Sequence, residues 1–342
     1  MKNSDDNSYL WDRSGEPDAE VARLETLLAQ LRRHPALPAL PERVRRTSRS
    51  RRWTMGAVSV AAAVLIVAAA WIWLASTRRG WSVQTMAGTP VVDGVGSAGS
   101  PGGSDVRLGV GGWLVTDAIS RARISANQIG RVDVEPNTRL RLVESRGREH
   151  RMLLERGTIH ARIWAPPRLF FVHTPSATAI DLGCEYTLQV DDRGAGLLRV
   201  KSGWVGLESD GRNAFIPEGA IGATRPGVGP GTPYYEDAPP GYGEALAILD
   251  FGPADDPRRG AALEIVVSSA RRRDALTLWH LLSRGTADER ARTFDRLAEL
   301  APPPAGVTRA AILAGERQTL NVWWDALGIN NTSWWKLWKK KL

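Results

Sequence analysis

The sequence predicts a multi-domain α+β membrane protein, and three features of its hydrophobic pattern carry this prediction. Residues 55–75 form a run of 21 residues without a charged side chain. Residues 81–226 contain short apolar or alternating segments separated by turn-forming residues, a pattern typical of an antiparallel all-β sandwich or roll. Residues 244–330 return to helical periodicity, so we expect a small α-helical region after the strands.

Residues 1–54 predict a cytoplasmic segment that contains one amphipathic helix, which ends before His34 and Pro35. Apolar side chains recur at three- and four-residue steps on one face of this helix: Val21, Leu24, Leu27, Leu28 and Leu31. One helix cannot enclose a core, so a partner protein, a second copy of the chain or the membrane surface must cover this stripe. Acidic and basic residues on both faces argue against the membrane surface. We therefore predict a protein partner, bound by a helix-in-groove contact.

The charge-free run of residues 55–75 is long enough to cross a bilayer as a transmembrane helix, which needs about 20 residues. A cleaved signal peptide is the alternative, but the long preceding segment favours a retained anchor. Six arginines form a basic juxtamembrane block before the run: Arg43, Arg45, Arg46, Arg49, Arg51 and Arg52. Only Arg78 and Arg79 follow closely, so the positive-inside rule places the N-terminus in the cytoplasm and the chain beyond residue 80 outside it. Topology and attraction to anionic lipid explain the block without nucleic acid, and we expect no direct nucleic-acid binding.

The β region follows a glycine-rich stretch and ends at a Pro/Gly/Tyr linker, residues 227–243. Its segments occur in a fixed order: WLVTDA, GRVDVEPNTRLRLV, HRMLLERGTIHARI, RLFFVHTPSATAIDLGCEYTLQV, LLRVKSGWVGLES and IPEGAIGATRPG. In this order, and with an apolar span upstream, residues 81–226 resemble a FecR-type domain. The resemblance implies a single-pass regulator of the bacterial inner membrane, with a periplasmic domain that receives a signal from an envelope or receptor protein. It also implies anti-sigma-like regulation of transcription through a cytoplasmic sigma factor.

No arrangement of residues in the sequence predicts catalysis, so we expect no catalytic residue, no cofactor and no enzyme activity. The chain has one cysteine, which excludes an intramolecular disulfide and a cysteine-built metal centre. His150, His160 and His173 fall on neighbouring predicted strands, but no carboxylate is spaced to complete a metal site. The alternative to the regulator is an envelope scaffold or binding module that has no sigma partner.

Cys184 lies in the segment AIDLGCEYTLQV, residues 179–190, which the alternating pattern predicts to be one strand. On this interpretation Ile180, Leu182 and Cys184 share one apolar face, so Cys184 is predicted to be a buried packing residue. No neighbouring base or helix N-terminus is expected to lower the pKa of its thiol.

The C-terminal region predicts short helices joined by brief loops. Thr286 and Glu289 form the pattern of a capping box, and a further helix is expected to start at Thr308 and to end at Gly328. Residues 331–342 form a tail with three tryptophans and four lysines. Two interpretations of this tail stay open: contact with an anionic membrane surface, or packing of its indole rings on the helices.

Overall fold

The computed structural model describes residues 19–29, 80–94 and 106–329, apart from residues 127, 148 and 210. The first of these ranges is one helix, α1 (Ala19–Ala29). It belongs to a different compact unit from the strands and the C-terminal helices. The predicted helix around residues 17–33 is therefore present in its central part, and its two ends lie outside the described residues.

The second unit contains all of the described strands. Their bounds are β1 (Trp81–Ala87), β2 (Val91–Asp93), β3 (Val106–Leu108), β4 (Trp113–Val115), β5 (Arg121–Ser125), β6 (Gly130–Val134), β7 (Arg139–Arg146), β8 (Glu149–Ile163), β9 (Phe170–His173), β10 (Thr178–Asp181), β11 (Glu185–Val190), β12 (Gly196–Ser202), β13 (Trp204–Ser209), β14 (Arg212–Pro217), β15 (Ala220–Arg225), β16 (Gly229–Pro230) and β17 (Tyr234–Tyr235).

The long strand β8 joins two sets of strands into one hydrogen-bonded sheet. Its second half pairs with β6 and β11, in the order β3-β1-β5-β6-β8-β11-β12-β15, and β16 and β17 pair with β15. Its first half pairs with β7 and β9, in the order β2-β4-β7-β8-β9-β10-β13-β14. Alternate residues along the strands are buried, so both halves contribute to one apolar core.

Six helices follow the strands: α2 (Tyr242–Phe251), α3 (Arg259–Ser269), α4 (Ala275–Leu282), α5 (Ala287–Leu300), α6 (Arg309–Leu313) and α7 (Arg317–Leu327). A short 3-10 turn, Arg272–Asp274, precedes α4. The capping box predicted at the start of α5 is confirmed, because Thr286 Oγ1 accepts from the Glu289 amide at 3.3 Å and Glu289 Oε2 accepts from the Thr286 amide at 2.9 Å. Thr308 caps α6 and Gly328 follows α7, as predicted, but the one helix expected between them is divided at residues 314–316.

The helices pack directly on strand β14. The Phe215 amide donates to Nε2 of the buried His280 at 3.3 Å. The Trp324 ring lies 5.9 Å from the Phe215 ring and 4.5 Å from the Trp279 ring. Strands and helices therefore share one hydrophobic core, in which the large aromatic side chains of α4 and α7 fill the space above β14.

The predicted fold class was wrong in two respects. The sheet is mixed and not purely antiparallel, because β9 runs parallel to the first half of β8, with His150 opposite Phe170. Among the described residues no helix is long and apolar enough to cross a membrane, and the longest, α5, has 14 residues. This finding contradicts the single-pass inner-membrane protein with a periplasmic C-terminal region that the sequence predicted. Residues 55–75 and the arginines at positions 43–52, on which that prediction was based, lie outside the described residues.

Candidate functional site

The predicted partner-binding stripe lies on α1, where its leucines are open to solvent. Leu24, Leu27 and Leu28 are 57%, 55% and 61% exposed, and Val21 is partly exposed. None of the eleven residues of this helix is buried. Leu31, the last member of the predicted stripe, lies outside the described residues. The apolar face of α1 is thus available to a partner, and its role in binding stays a prediction.

Cys184 is buried, as predicted, at 4% exposure, but it does not lie in a continuous strand. The chain turns between β10 and β11, where Gly183 has a φ of +86°, a conformation that favours glycine. Asp181 holds this turn, because its Oδ1 accepts from the Gly183 amide at 2.7 Å and its Oδ2 accepts from the Cys184 thiol at 2.6 Å. The expectation that residues 179–190 form one strand was therefore wrong, whereas Ile180, Leu182 and Cys184 are all buried, as predicted.

The same turn places a carboxyl group where the sequence predicted only apolar neighbours. Burial raises the pKa of Asp181 to about 7, against hydrogen bonds from Cys184 and Gly183 that lower it. Burial, followed by the nearby Asp181, raises the pKa of the Cys184 thiol far above its ordinary value. A thiol that stays protonated is a poor nucleophile, so this pair is unsuited to thiolate chemistry.

The three strand histidines are held apart by different partners. His150 packs beside Trp81 with ring centres 6.1 Å apart, and His160 Nδ1 lies 2.8 Å from Thr187 Oγ1. His173 lies between Arg151 and Thr178, at 3.1 Å and 2.9 Å. Burial lowers the pKa of His173, and the positive charge of Arg151 lowers it further. Within the described ranges no three His, Cys, Asp or Glu side chains are grouped so that they could hold a metal ion.

An open groove of about 690 Å³ runs along β9, β10 and the end of β13. We call it the polar groove, because its lining includes Arg151, His173, Thr178 and Glu208. The Arg151 guanidinium is already engaged: it forms ion pairs with Glu144 and Glu149 and lies 4.7 Å above the Phe171 ring. These mutual contacts stabilise the groove wall, and they leave no evident nucleophile and base pair.

A smaller pocket of about 300 Å³ lies between β14 and the helices α4, α5 and α7. We call it the arginine pocket, after the four arginines that line it: Arg212, Arg284, Arg290 and Arg317. Phe215, Trp279 and Leu320 supply apolar walls, and none of the residues that line the pocket is acidic. The sequence analysis missed this site, because its residues come from four elements spread over about a hundred positions and form no local motif.

Comparison with protein-family models finds no match, and comparison with curated proteins finds none either. Among solved structures, the chain is similar to two crystal structures of a candidate anti-sigma factor from Parabacteroides distasonis, each at 15% sequence identity and a TM-score of 0.33. The match covers 39% of this chain and 63% of the first structure, and 45% and 73% for the second. The matched part is thus less than two thirds of the first structure. This likeness does not show a FecR-type domain.

Proposed function

We propose that this chain is a non-catalytic, anti-sigma-like regulator of transcription that binds a sigma factor through the apolar stripe of α1. One observation carries the proposal: Leu24, Leu27 and Leu28 present adjacent apolar side chains, each more than half exposed, on a helix with no buried residue. Burying such a leucine in a groove contributes about 1.5–3 kcal/mol, so three of them form an effective anchor. The choice of a sigma factor as partner follows the family that the strand motifs resemble.

The chemistry of the described side chains supports a role without catalysis. The Cys184 thiol donates to a buried carboxyl group and is held in its protonated form. His280 is fully engaged, because Nε2 accepts from the Phe215 amide while Nδ1 lies 2.8 Å from the Leu276 carbonyl oxygen. These groups serve turns and packing.

The double substitution Leu27→Asp/Leu28→Asp is expected to weaken binding of the sigma factor at least about tenfold, because two carboxylates would have to enter an apolar groove. Each purified sigma factor of the source bacterium is titrated against the full chain, and a reporter gene follows transcription from the corresponding promoter. Loss of binding should be accompanied by altered reporter activity.

The matched control is Ala22→Asp/Thr26→Asp, which adds the same two charges to the opposite face of α1. It should bind as the unmodified chain does, since this face carries no leucine of the stripe. Equal loss in both variants would mean that helix stability, and not the stripe, is responsible. If no sigma factor binds the unmodified chain, the regulatory proposal fails.

A binding module without a sigma partner is the second candidate, and the arginine pocket favours it because this pocket requires nothing from α1. Deleting residues 1–40 separates the two: the regulator should lose its effect on transcription, whereas a binding module should keep its ligand.

A further inference from the structure

The arginine pocket contains more positive charge than the neighbouring carboxylates balance. Arg212 and Arg284 both approach the single carboxylate of Asp250, with Arg212 Nη2 at 3.8 Å and Arg284 Nη1 at 3.6 Å. The Arg284 side chain is only 9% exposed, so solvent screens its charge weakly. Two guanidinium groups that line the pocket therefore share one negative charge.

Arg290 and Arg317 add two further charges at the same pocket. Two acidic residues of the neighbouring helices pair with other arginines: Glu289 with Arg259 at 2.7 Å, and Glu264 with Arg292. No described carboxylate forms an ion pair with Arg290 or Arg317, and Asp295 of α5 pairs with Arg309. An anion that entered the pocket would meet no negatively charged lining residue.

Arg290 is held in place but retains an unused donor. Its Nη1 donates to the carbonyl oxygen of Leu313 at 2.8 Å. Its Nε is buried and has no hydrogen-bond partner among the described residues. Gly315 allows this arrangement, because a Cβ there would lie 3.1 Å from Arg290 Nη1. A buried guanidinium nitrogen without an acceptor is costly. This Nε has almost no solvent-accessible surface, so an anion in the pocket would contact the terminal Nη atoms of Arg290 instead.

Arg317 is the first residue of α7, and this helix begins without a side-chain cap. The amide groups of the first helical turn carry partial positive charge, which favours an anion nearby. Leu320 and Asn321, from the same end of α7, also line the pocket. The amides of the first turn therefore add to the positive charge of the arginines, while the carboxylate of Glu316, the residue before Arg317, lies at the same helix end and accepts from Thr319 Oγ1 at 2.6 Å.

The walls of the pocket define the rest of the ligand. Phe215, Trp279 and Leu320 give apolar surface next to the guanidinium groups, and a volume of about 300 Å³ suits a small molecule. Guanidinium groups match the geometry of carboxylate and phosphate oxygens. We propose that the arginine pocket binds a small organic anion, with its carboxylate or phosphate group at Arg290 and Arg317 and a compact apolar body against Trp279.

The test is isothermal titration calorimetry of the full chain with three probes: 2-naphthoate, 2-naphthyl phosphate and the uncharged 2-naphthamide. At least one of the two anions should bind, and the amide should bind at least about tenfold more weakly, since it lacks the charge that the arginines recognise. The comparison of the two anions shows whether the pocket prefers a carboxylate or a phosphate.

The substitutions Arg290→Gln and Arg317→Gln should each weaken binding of the preferred anion at least about tenfold. Arg292→Gln is the matched control, because it removes an exposed arginine of the same helix, outside the pocket, and should leave affinity unchanged. Arg317 is exposed, so its variant tests the site even if Arg290→Gln disturbs the fold through the lost bond to Leu313.

Three results would overturn this inference: neither anion binds the unmodified chain, the amide binds as tightly as both anions, or Arg317→Gln binds no more weakly than Arg292→Gln. The experiment does not involve α1, so its outcome is independent of the sigma-factor titration.

Discussion

Replacing Asp250 by alanine is expected to lower the free energy of unfolding by about 3–5 kcal/mol, because the substitution leaves a buried charge without its partner. Asp250 lies on α2, and its carboxylate accepts from the Thr232 amide at 2.6 Å and from Thr232 Oγ1 at 2.9 Å. It also balances Arg284, which reaches across to the carbonyl oxygen of Asn213 at 2.6 Å. Burial lowers the pKa of Arg284 to about 10, yet the guanidinium remains charged at neutral pH.

Urea denaturation followed by circular dichroism measures this loss in the full chain. Asp255→Ala, a few residues away and exposed, is the matched control and should change stability by less than about 0.5 kcal/mol. Adding Arg284→Met to Asp250→Ala should recover part of the loss, because it removes the uncompensated charge. If Asp250→Ala unfolds at the same urea concentration as Asp255→Ala, Asp250 does not hold the helices to the strands.

The sequence correctly predicted the helix ends and strand segments that depend only on residues close together in the chain. The cap at Thr286, the start at Thr308 and the end at Gly328 depend on residues within one turn, and all three are confirmed. Helix α1 is similar, because the spacing of its leucines alone determines the apolar face. The strand segments were also visible as alternation, as in β8, where buried and open residues alternate over most of its length.

Features that depend on distant residues could not be predicted in this way. Alternation shows that β8 and β9 are strands, but it does not reveal that they run parallel, since pairing depends on how residues 164–169 return the chain. In the segment 179–190, the alternation of apolar and polar residues in the sequence continues through Gly183. In the structure the side chain of Asp181 stabilises a turn at this position. A short polar residue two positions before a glycine was the available signal for this turn.

The two candidate sites, the stripe of α1 and the arginine pocket, also differ in whether their residues are close together in the sequence. The stripe of α1 is contained in one helical segment, so the sequence alone located it. The arginine pocket combines Arg212 of β14 with Arg284, Arg290 and Arg317 of the helical region. These positions meet only because α4 and α7 pack on β14 through Phe215 and Trp324, a contact between residues more than a hundred positions apart.

The stability of the β/α unit is expected to fall by about 3 kcal/mol as the pH rises from 4 to 7, through the titration of Asp181. The pKa of this carboxyl group is about 7 in the folded chain, because it is buried, and 3.8 is its ordinary value in an unfolded chain. Between these values the folded state retains a proton that the unfolded state has released, so increasing pH favours unfolding. Well below pH 4 both states are protonated, and well above pH 7 both are ionised, so the contribution becomes constant at each end.

The substitution Asp181→Asn removes this titration while keeping an acceptor for the Gly183 amide. The free energy of unfolding, measured with urea at several pH values, should therefore vary less between pH 4 and 7 in the variant than in the unmodified chain. Asp191→Asn is the control, because Asp191 also accepts turn amides, from Arg193 at 2.9 Å and Ala195 at 2.8 Å, but is exposed. Subtracting the free energy of unfolding of the Asp181 variant from that of the unmodified chain at each pH removes the contribution of all other titrating groups. If the free energy of unfolding changes equally with pH in the Asp181→Asn variant and in the unmodified chain, the pKa of Asp181 is not raised in the folded state. The turn at Cys184 would then tolerate a negative charge.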